Sequence, residues 1–446
     1  MPESRKADAS AATEKKFDVV AEFLSPLILP REAFRRSIDD VFISGATWRG
    51  ALAQLELGQS GILGVSVGGR RRSKEFRRLF DTRLGRFGYL YPYYATDDLM
   101  VKKDVINAVF PCPLTVWRCD KCCRVKQVNP SSGSAMGWYD TVLYRIRQHT
   151  VPAQSGQLVR LMCPAANCGQ RLARRRGLVV WEGRPKGKQY RIFTVVAQAM
   201  KRLRLSVDAR TPEKKGYFRE YLVPAANAAG ERLVFFGRCT LANEQVEALR
   251  NYAARSADAR VNRGGFRFQL AIGARRSSGF GKCLLWLRPR EETGASVEDR
   301  LDAFQRALRR VLSSADAVYA SLTFLAPAVL RDERFSPVFV PNDPKMLFRD
   351  CAVPPPESLE FVAGASAVGF VRIGGWSMAW QHRKPVQWAV APGSVWTFRC
   401  AKSEKKMLVD FLQHVERVGI GETTHLGEGD VAVCNQVHVH LDYGKY

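Results

Sequence analysis

The sequence predicts an α+β chain built from two copies of one unit, with a cysteine-bearing module inserted into the first copy. Three observations predict it. Phe23-Leu24-Ser25-Pro26-Leu27-Ile28-Leu29 near the start is matched by Phe324-Leu325-Ala326-Pro327-Ala328-Val329-Leu330, and the G-x5-G-x-G spacing of Gly273, Gly279 and Gly281 is matched by Gly421, Gly427 and Gly429. One glycine-rich turn is a weak signal because turns need glycine; the same spacing at equivalent places in two halves is a strong one. Strand-like and helix-like segments follow one another through both halves. Between them, over about residues 92–190, the regular pattern lapses and six cysteines enter, four of them in two spaced pairs.

Residues 1–16 are polar and rich in Ala, Ser and Lys, which predicts a disordered leader. Folding begins at Phe17: FDVVAEFLSPLILP mixes β-branched and aromatic residues and stops at Pro30, a strand and then a turn. In ISGATWRGALAQLEL, Gly45 and Thr47 precede a helical run in which Leu52, Leu55 and Leu57 supply a buried face. Residues 61–78 are rich in Gly and Arg, a basic loop entering a short helix, either solvated or in contact with a polyanion. Past the module, IFTVVAQAMKRLRLSV and RLVFFGRCTL read as strands and residues 243–257 as a helix. FRFQLAIG and the following ARRSSGFGKCLLWL read as strand, glycine-rich hairpin and strand. An amphipathic helix within 291–315 is expected to link a first unit over 17–290 to a second over 316–446. The second unit contains a Pro-rich loop at 351–356 and a helix over about 405–418 ahead of GIGETTHLGEGDVAV.

A chain of 446 residues accommodates two or three domains. Hydrophobic residues at 46% and charged residues at 25% are globular averages, which exclude wholesale disorder and a collagen-like class. Lys plus Arg number 69 against 43 Asp plus Glu, a net charge of +26. Such self-repulsion is relieved by a polyanionic partner, nucleic acid before a membrane surface. No stretch approaches the ~18 uninterrupted apolar residues of a membrane span, and the N-terminus lacks the apolar segment of a secretion signal. The eleven cysteines therefore read as reduced thiols or metal ligands in a cytoplasm rather than as disulfides.

Cys119 and Cys122 form a C-x2-C pair, and Cys163 and Cys168 a C-x4-C pair about forty residues on. Four thiolates so arranged suit a structural tetrahedral zinc. Cys123 competes as a ligand, Cys112 or His149 can substitute, and unrelated free thiols are the alternative. In the first glycine loop, Arg275, Arg276, Ser277, Ser278 and Lys282 surround Gly279 and Gly281, a nest for phosphate oxygens with Phe280 placed to stack on a base. The alternative is a tight hairpin with solvated arginines. At the helix start, Arg49 can reach a phosphate, the N–H groups of Thr47 to Gly50 form an anion site, and Gly45 permits close approach; Trp48 either stacks or is buried. The triplets Arg70, Arg71, Arg72 and Arg174, Arg175, Arg176 suit nonspecific backbone contacts. Catalytic motifs are absent: no Walker loop, HExxH or nucleophile elbow. His149 and His425 remain as bases for metal-independent RNA cleavage, while Asp39 and Asp40 read as loop solvation or capping.

ISGATWRGALA resembles the Gly-Ser-x-Arg-Gly helix start of RAMP proteins, the repeat-associated mysterious proteins of CRISPR systems, and IGARRSSGFGKC resembles their C-terminal glycine-rich loop. With the cysteine module in the first unit and a GW-x3-W then PGSV pattern in the second (Gly375, Trp376, Trp380, residues 392–395), the chain is most similar to the large double-RAMP subunit of type III-D effectors over most of residues 17–446. The resemblance implies two tandem ferredoxin-like (RRM-type) domains with a zinc-ribbon-like insertion, whose sheet and glycine loop meet RNA. It also implies a noncatalytic role: gripping the repeat-derived 5′ handle of crRNA and capping one end of the effector in antiviral defence. The implied partners are crRNA, other RAMP backbone subunits, the large signalling subunit and, indirectly, target RNA. The second loop departs from the family, placing Glu422, Glu428 and Asp430 where basic residues are expected, so that half is expected to contact protein. The competing expectation is a RAMP-type endoribonuclease that processes crRNA through a histidine or slices target RNA through Asp39 or Asp40.

Overall fold

FDVVAEF is apolar at too many positions for a strand with one wet face, and it forms an interior strand covered on both sides. The computed structural model describes residues 14–29, 41–59, 74–82, 84–95, 109–127, 137–150, 161–165, 168–183, 190–195, 200–207, 214–262, 264–290, 295–312, 317–377, 382–441 and 443. β1 (Glu14–Phe23) is separated by the Ser25-Pro26 break from β2 (Leu27–Leu29), and α1 (Gly45–Gln59), α2 (Lys74–Leu79) and β3 (Arg86–Ala95) follow. The cysteine module holds β4 (Val109–Pro111), β5 (Val116–Arg118), α3 (Asp120–Gln127), β6 (Trp138–Asp140), α4 (Val142–Thr150), β7 (Ala173–Arg174), β8 (Leu178–Gly183) and β9 (Tyr190–Val195). The first unit closes with β10 (Met200–Val207), β11 (Lys214–Val223), β12 (Arg232–Ala242), α5 (Asn243–Arg255), β13 (Ala259–Asn262), β14 (Gly265–Ala271) and β15 (Lys282–Pro289).

The main sheet of this unit runs β13-β14-β15-β1-β12-β3, antiparallel throughout. Trp48 and Leu52 of α1 and Val246, Leu249 and Tyr252 of α5 share a core with Phe17, Phe23, Phe235 and Phe268 on one face. On the other face Val20, Val234 and Phe236 are buried with Tyr93 and Trp286 packed against them.

The second unit comprises α6 (Val297–Arg309), β16 (Ala317–Phe324), α7 (Pro344–Leu347), β17 (Glu360–Phe361), β18 (Phe370–Ser377), β19 (His382–Val390), β20 (Val395–Ala401), α8 (Lys405–Val418), β21 (Val431–Val433) and α9 (Gln436–His440). Its sheet runs β17-β20-β16-β21, beside a β18-β19 ribbon. α6 is started by a capping box in which Ser296 Oγ accepts from the Asp299 N–H at 3.0 Å. Leu301, Phe304 and Leu308 of α6 and Leu408, Phe411, Leu412 and Val415 of α8, spaced three or four apart, bury against Leu322, Trp396 and Phe398.

Three expected boundaries move. Glu14, Lys15 and Lys16, expected in the leader, belong to the first strand and pair with Ala242, Leu241 and Thr240. The module begins after Ala95, since β3 is a strand of the main sheet to its end, and runs past 190, since β9 pairs with β8. The helix expected as a linker is core of the second unit, its apolar stripe buried beneath β16. The module, inserted in the first unit, is fastened to the second: Val142, Leu143 and Ile146 of α4 enter the second core. Beside them, buried Asp140 lies 3.1 Å from His438 Nδ1, whose Nε2 lies 3.0 Å from Thr323 Oγ1. Gly393 of the PGSV turn comes so close to the Cys112 carbonyl that a Cβ would sit 2.3 Å from it. Among the described residues no helix is long and apolar enough to cross a membrane.

Candidate nucleic-acid interface and metal centre

The two glycine loops are one backbone used twice. In the first, the N–H groups of Ala274 and Gly281 donate to the carbonyls of Ile28 and Pro26 at 2.8 and 2.9 Å; in the second, those of Glu422 and Gly429 donate to Val329 and Pro327 at 2.9 and 2.7 Å. The proline-broken repeat is therefore the rail on which each loop is hung. Arg275 (φ 56°) and Thr423 (φ 55°) take the same left-handed conformation and each opens a 3-10 turn. Gly281 and Gly429 are glycine because a Cβ would lie 1.9 and 1.8 Å from the Ile272 and Ile420 carbonyl oxygens.

The side chains on that backbone differ, and so does their surrounding. The second loop is seated on the first unit. A Cβ on Gly427 would meet Gly88 Cα at 2.6 Å, and one on Gly45 would meet the Phe87 and Leu426 carbonyl oxygens at 1.8 and 2.3 Å. Its acids are engaged within the protein: Asp430 with Arg86 at 3.0 Å, Glu422 with Arg331 at 2.9 Å, and Glu428 accepting from the Thr423 hydroxyl. Tyr91 of β3 donates to the Leu325 carbonyl across the same seam. The first loop carries Arg275, Arg276, Ser277, Ser278 and Lys282; Ser277, Ser278 and Lys282 are exposed, and Arg275, Arg276 and Phe280 partly so. A Cβ on Gly279 would meet nothing within 4 Å. The N–H groups of Ser278 and Gly279 turn inward to the Arg275 and Arg276 carbonyls at 3.0 Å each, and that of Lys282 donates to Ser25 Oγ at 2.9 Å. An anion here is accordingly held by side chains more than by a backbone nest.

The helix-start motif packs rather than presents. Trp48 is fully buried, its indole N–H donating to the Gly88 carbonyl at 2.8 Å, which answers the sequence alternative in favour of burial. Arg49 gives its guanidinium to the Phe80 carbonyl at 2.6 Å over the Phe80 and Phe87 rings, and burial lowers its pKa. The N–H groups of Thr47 and Trp48 return to the Ser44 carbonyl, and Gly45 is covered by the second loop, so the anion site expected at this helix start is occupied by protein. Gly50 is exposed with nothing within 4 Å of a Cβ.

Cys119, Cys122, Cys163 and Cys168 are brought together, all four Sγ atoms within 4.8 Å of one another. The Sγ distances Cys119–Cys168, Cys122–Cys163 and Cys122–Cys168 are 3.5, 3.6 and 3.4 Å, near the ~3.8 Å edge of a tetrahedron with ~2.3 Å metal–sulfur bonds. The cluster can hold a metal. A backbone hydrogen bond from Gln170 lowers the Cys168 pKa to about 7, while burial raises those of Cys119 and Cys122. Cys123 packs elsewhere, against the cluster around Val116 and Trp138; Cys112 is buried in that same cluster, and His149 is exposed at the end of α4. These three are not part of the sulfur group.

Sequence reasoning missed Trp286. It pairs across the ladder with Arg267, and the Arg267 and Arg288 guanidiniums flank its ring at 4.9 and 5.5 Å from the centroid. The signal lay in KCLLWLRP, whose alternation buries Cys283, Leu285 and Leu287 and turns Leu284, Trp286 and Arg288 to the other face. His425 is half-buried at the seam, its pKa lowered by burial and then by Arg49 and Lys384. Asp39, Asp40, Arg70, Arg71, Arg72 and Trp380 lie outside the described residues, as does the side chain of Trp376.

Residues 290–435 match the family model described as CRISPR-associated protein (Cas_Cmr3), about a third of the chain. The match supports a CRISPR-associated protein over that part of the chain. The chain is similar to one in the cryo-EM structure of the type III-B Cmr-beta bound to cognate target RNA, at 11% identity over 88% of this chain and 89% of that one, with a TM-score of 0.34. It is also similar to one in the Csm3-Csm4 subcomplex of the type III-A CRISPR-Cas interference complex (8%, 87% and 95%, 0.29) and to Thermus thermophilus Cas6 (14%, 45% and 75%, 0.23). No curated protein matches the sequence.

Proposed function

We propose that this chain is a noncatalytic crRNA-binding subunit of a type III CRISPR effector complex, III-D-like, that grips the repeat-derived 5′ handle and caps the assembly. In this reading the two units are tandem ferredoxin-like domains, and the four cysteines hold a structural zinc in a ribbon-like insertion. The observation that carries it is the divergence of the two glycine loops: the acidic copy is consumed by packing on the first unit, and the basic copy, on the same backbone, stands at the surface. Arg275, Arg276 and Lys282 supply charge-assisted bonds to phosphates, Ser277 and Ser278 supply hydroxyls, and Phe280 supplies a ring for a base. The match to residues 290–435 and the net charge of +26 support the same reading. Partners are then crRNA, the RAMP backbone subunits and the large signalling subunit, with target RNA reached through the guide, in a prokaryotic cytoplasm.

The test is fluorescence anisotropy of the full chain with a repeat-derived handle RNA and a scrambled RNA of equal length. The handle is expected to bind tighter, and Arg275→Ala/Arg276→Ala to weaken it about tenfold or more. Equal affinity for both RNAs removes the handle assignment. Incubation with repeat RNA and complementary target is expected to leave both intact; cleavage lost in His425→Ala would replace the reading with an endoribonuclease.

A further inference from the structure

We propose that the cysteine module carries a second RNA contact, an arginine face made by Arg145, Arg174 and Arg176 that takes the phosphate backbone of single-stranded RNA. This rests on the RNA-binding reading above but not on the glycine loop. β7 pairs with β5, setting Arg174 opposite Trp117, and the Arg174 guanidinium lies 5.1 Å from the centroid of that ring. The stack fixes the head of an otherwise exposed side chain while leaving the edge of its fork for an oxygen pair. Past the end of this two-residue strand Arg175 turns to Asp120, while Arg176 is exposed and near enough to Arg174 to act on it electrostatically. Arg145 comes in from α4, held by its bond to the Ser366 carbonyl at 3.2 Å.

Among the described residues no carboxylate pairs with Arg145, Arg174 or Arg176. Burial lowers the pKa of Arg145 and of Arg174, and next in each case comes a like charge, Arg174 on Arg145 and Arg176 on Arg174, which buried Asp140 opposes at Arg145. Apart from buried Asp140, which acts on Arg145, the cluster is of like charge, and an anion at the exposed Arg174 and Arg176 relieves the repulsion. A planar fork held by a ring suits phosphate bidentately. The sulfur cluster and the α4 contact with the second core keep the face rigid, so little ordering is lost on binding.

The test uses the full chain and a labelled single-stranded RNA of about fifteen nucleotides, titrated at several salt concentrations. Arg145 is left in place because it also fastens α4. Arg174→Ala/Arg176→Ala is expected to weaken binding at least about fivefold and to flatten the log–log salt slope by about 1.4, from ~0.7 per phosphate on single strands. Metal content and thermal midpoint should stay at wild-type values. Unchanged affinity and slope overturn the proposal and leave the face to an acidic protein surface. If Arg275→Ala/Arg276→Ala weakens binding while the module variant does not, only this inference fails; if wild type binds no RNA, the functional reading fails with it. An equal loss on duplex DNA would mean a general polyanion site and overturn the RNA assignment.

Discussion

Gly45 and Gly50 sit five residues apart in one motif and answer to different forces. A Cβ at Gly45 runs into the carbonyl oxygens of Phe87 and Leu426, on two units at once, whereas one at Gly50 meets open space on the helix. Gly45→Ala is expected to cost about 1–3 kcal/mol, the range for overpacking a tight core, and Gly50→Ala to gain about 0.5–1 kcal/mol from helix propensity; urea unfolding of the two variants reads both. A loss at Gly50 as large as at Gly45 would contradict the packing account. The motif was legible as a close-approach helix start, but what approaches it was not. Leu426 is far away along the chain, and glycine records only that something is near. Trp48 illustrates the same limit: a tryptophan in a basic, Gly-rich context looks alike in sequence whether it stacks on a base or fills a core.

Asp140 carries a pH prediction at the same scale. Burial by itself would raise its carboxyl, but His438, the Thr115 hydroxyl at 2.7 Å and the Val142 N–H at 2.9 Å outweigh it and hold the group below the usual carboxylate range. A carboxyl depressed in the folded state contributes stability that is present above its unfolded value near ~3.9 and lost as pH falls through the folded one. Asp140→Asn is therefore expected to lower stability at pH 7 by about 1–3 kcal/mol, as for leaving buried hydrogen-bond partners unsatisfied, and to show a shallower acid limb below about pH 4. Thermal melts of both proteins from pH 3 to 8 check this, and identical acid limbs would refute it.

Among the elements, the cysteine module was the most legible in its chemistry and the least in its placement. Chelation is nearly local, so C-x2-C and C-x4-C spacing foretold which four sulfurs converge, and also left Cys123 as a rival that only the backbone of α3 could exclude. Cys119→Ser/Cys163→Ser is expected to lose about one equivalent of zinc by elemental analysis and to loosen the module, while Cys123→Ser keeps the metal. Wild-type protein without metal would contradict the zinc assignment. That α4 packs into the second core had no local signal, because Val142, Leu143 and Ile146 form an apolar stripe with no address on it. The same holds for α6, whose stripe announced a helix and whose partner turned a supposed linker into core.

At the scale of the whole molecule, one loop backbone is used twice with different side chains. Both units hang a glycine loop on a proline-broken strand; one loop presents Arg, Ser and Lys at the surface, and the other, with Leu426 and its acids, forms the joint between units. Repetition was visible in sequence because glycines at left-handed positions admit few substitutes. The use of each copy was visible only through charge, acidic against basic, which pointed the second loop toward protein. If the remaining basic surface engages six to ten phosphates, the log–log salt slope of single-stranded RNA binding should lie at about −4 to −7. A flat response would assign the net charge of +26 to something other than RNA.

The most direct test is purification of the protein from its native host, sequencing of the RNA that comes with it and mass spectrometry of the accompanying proteins. The account predicts short RNAs sharing one constant 5′ segment, together with RAMP subunits, and loss of that RNA from Arg275→Ala/Arg276→Ala. Heterogeneous nucleic acid, no such partners and no change in the variant would contradict it.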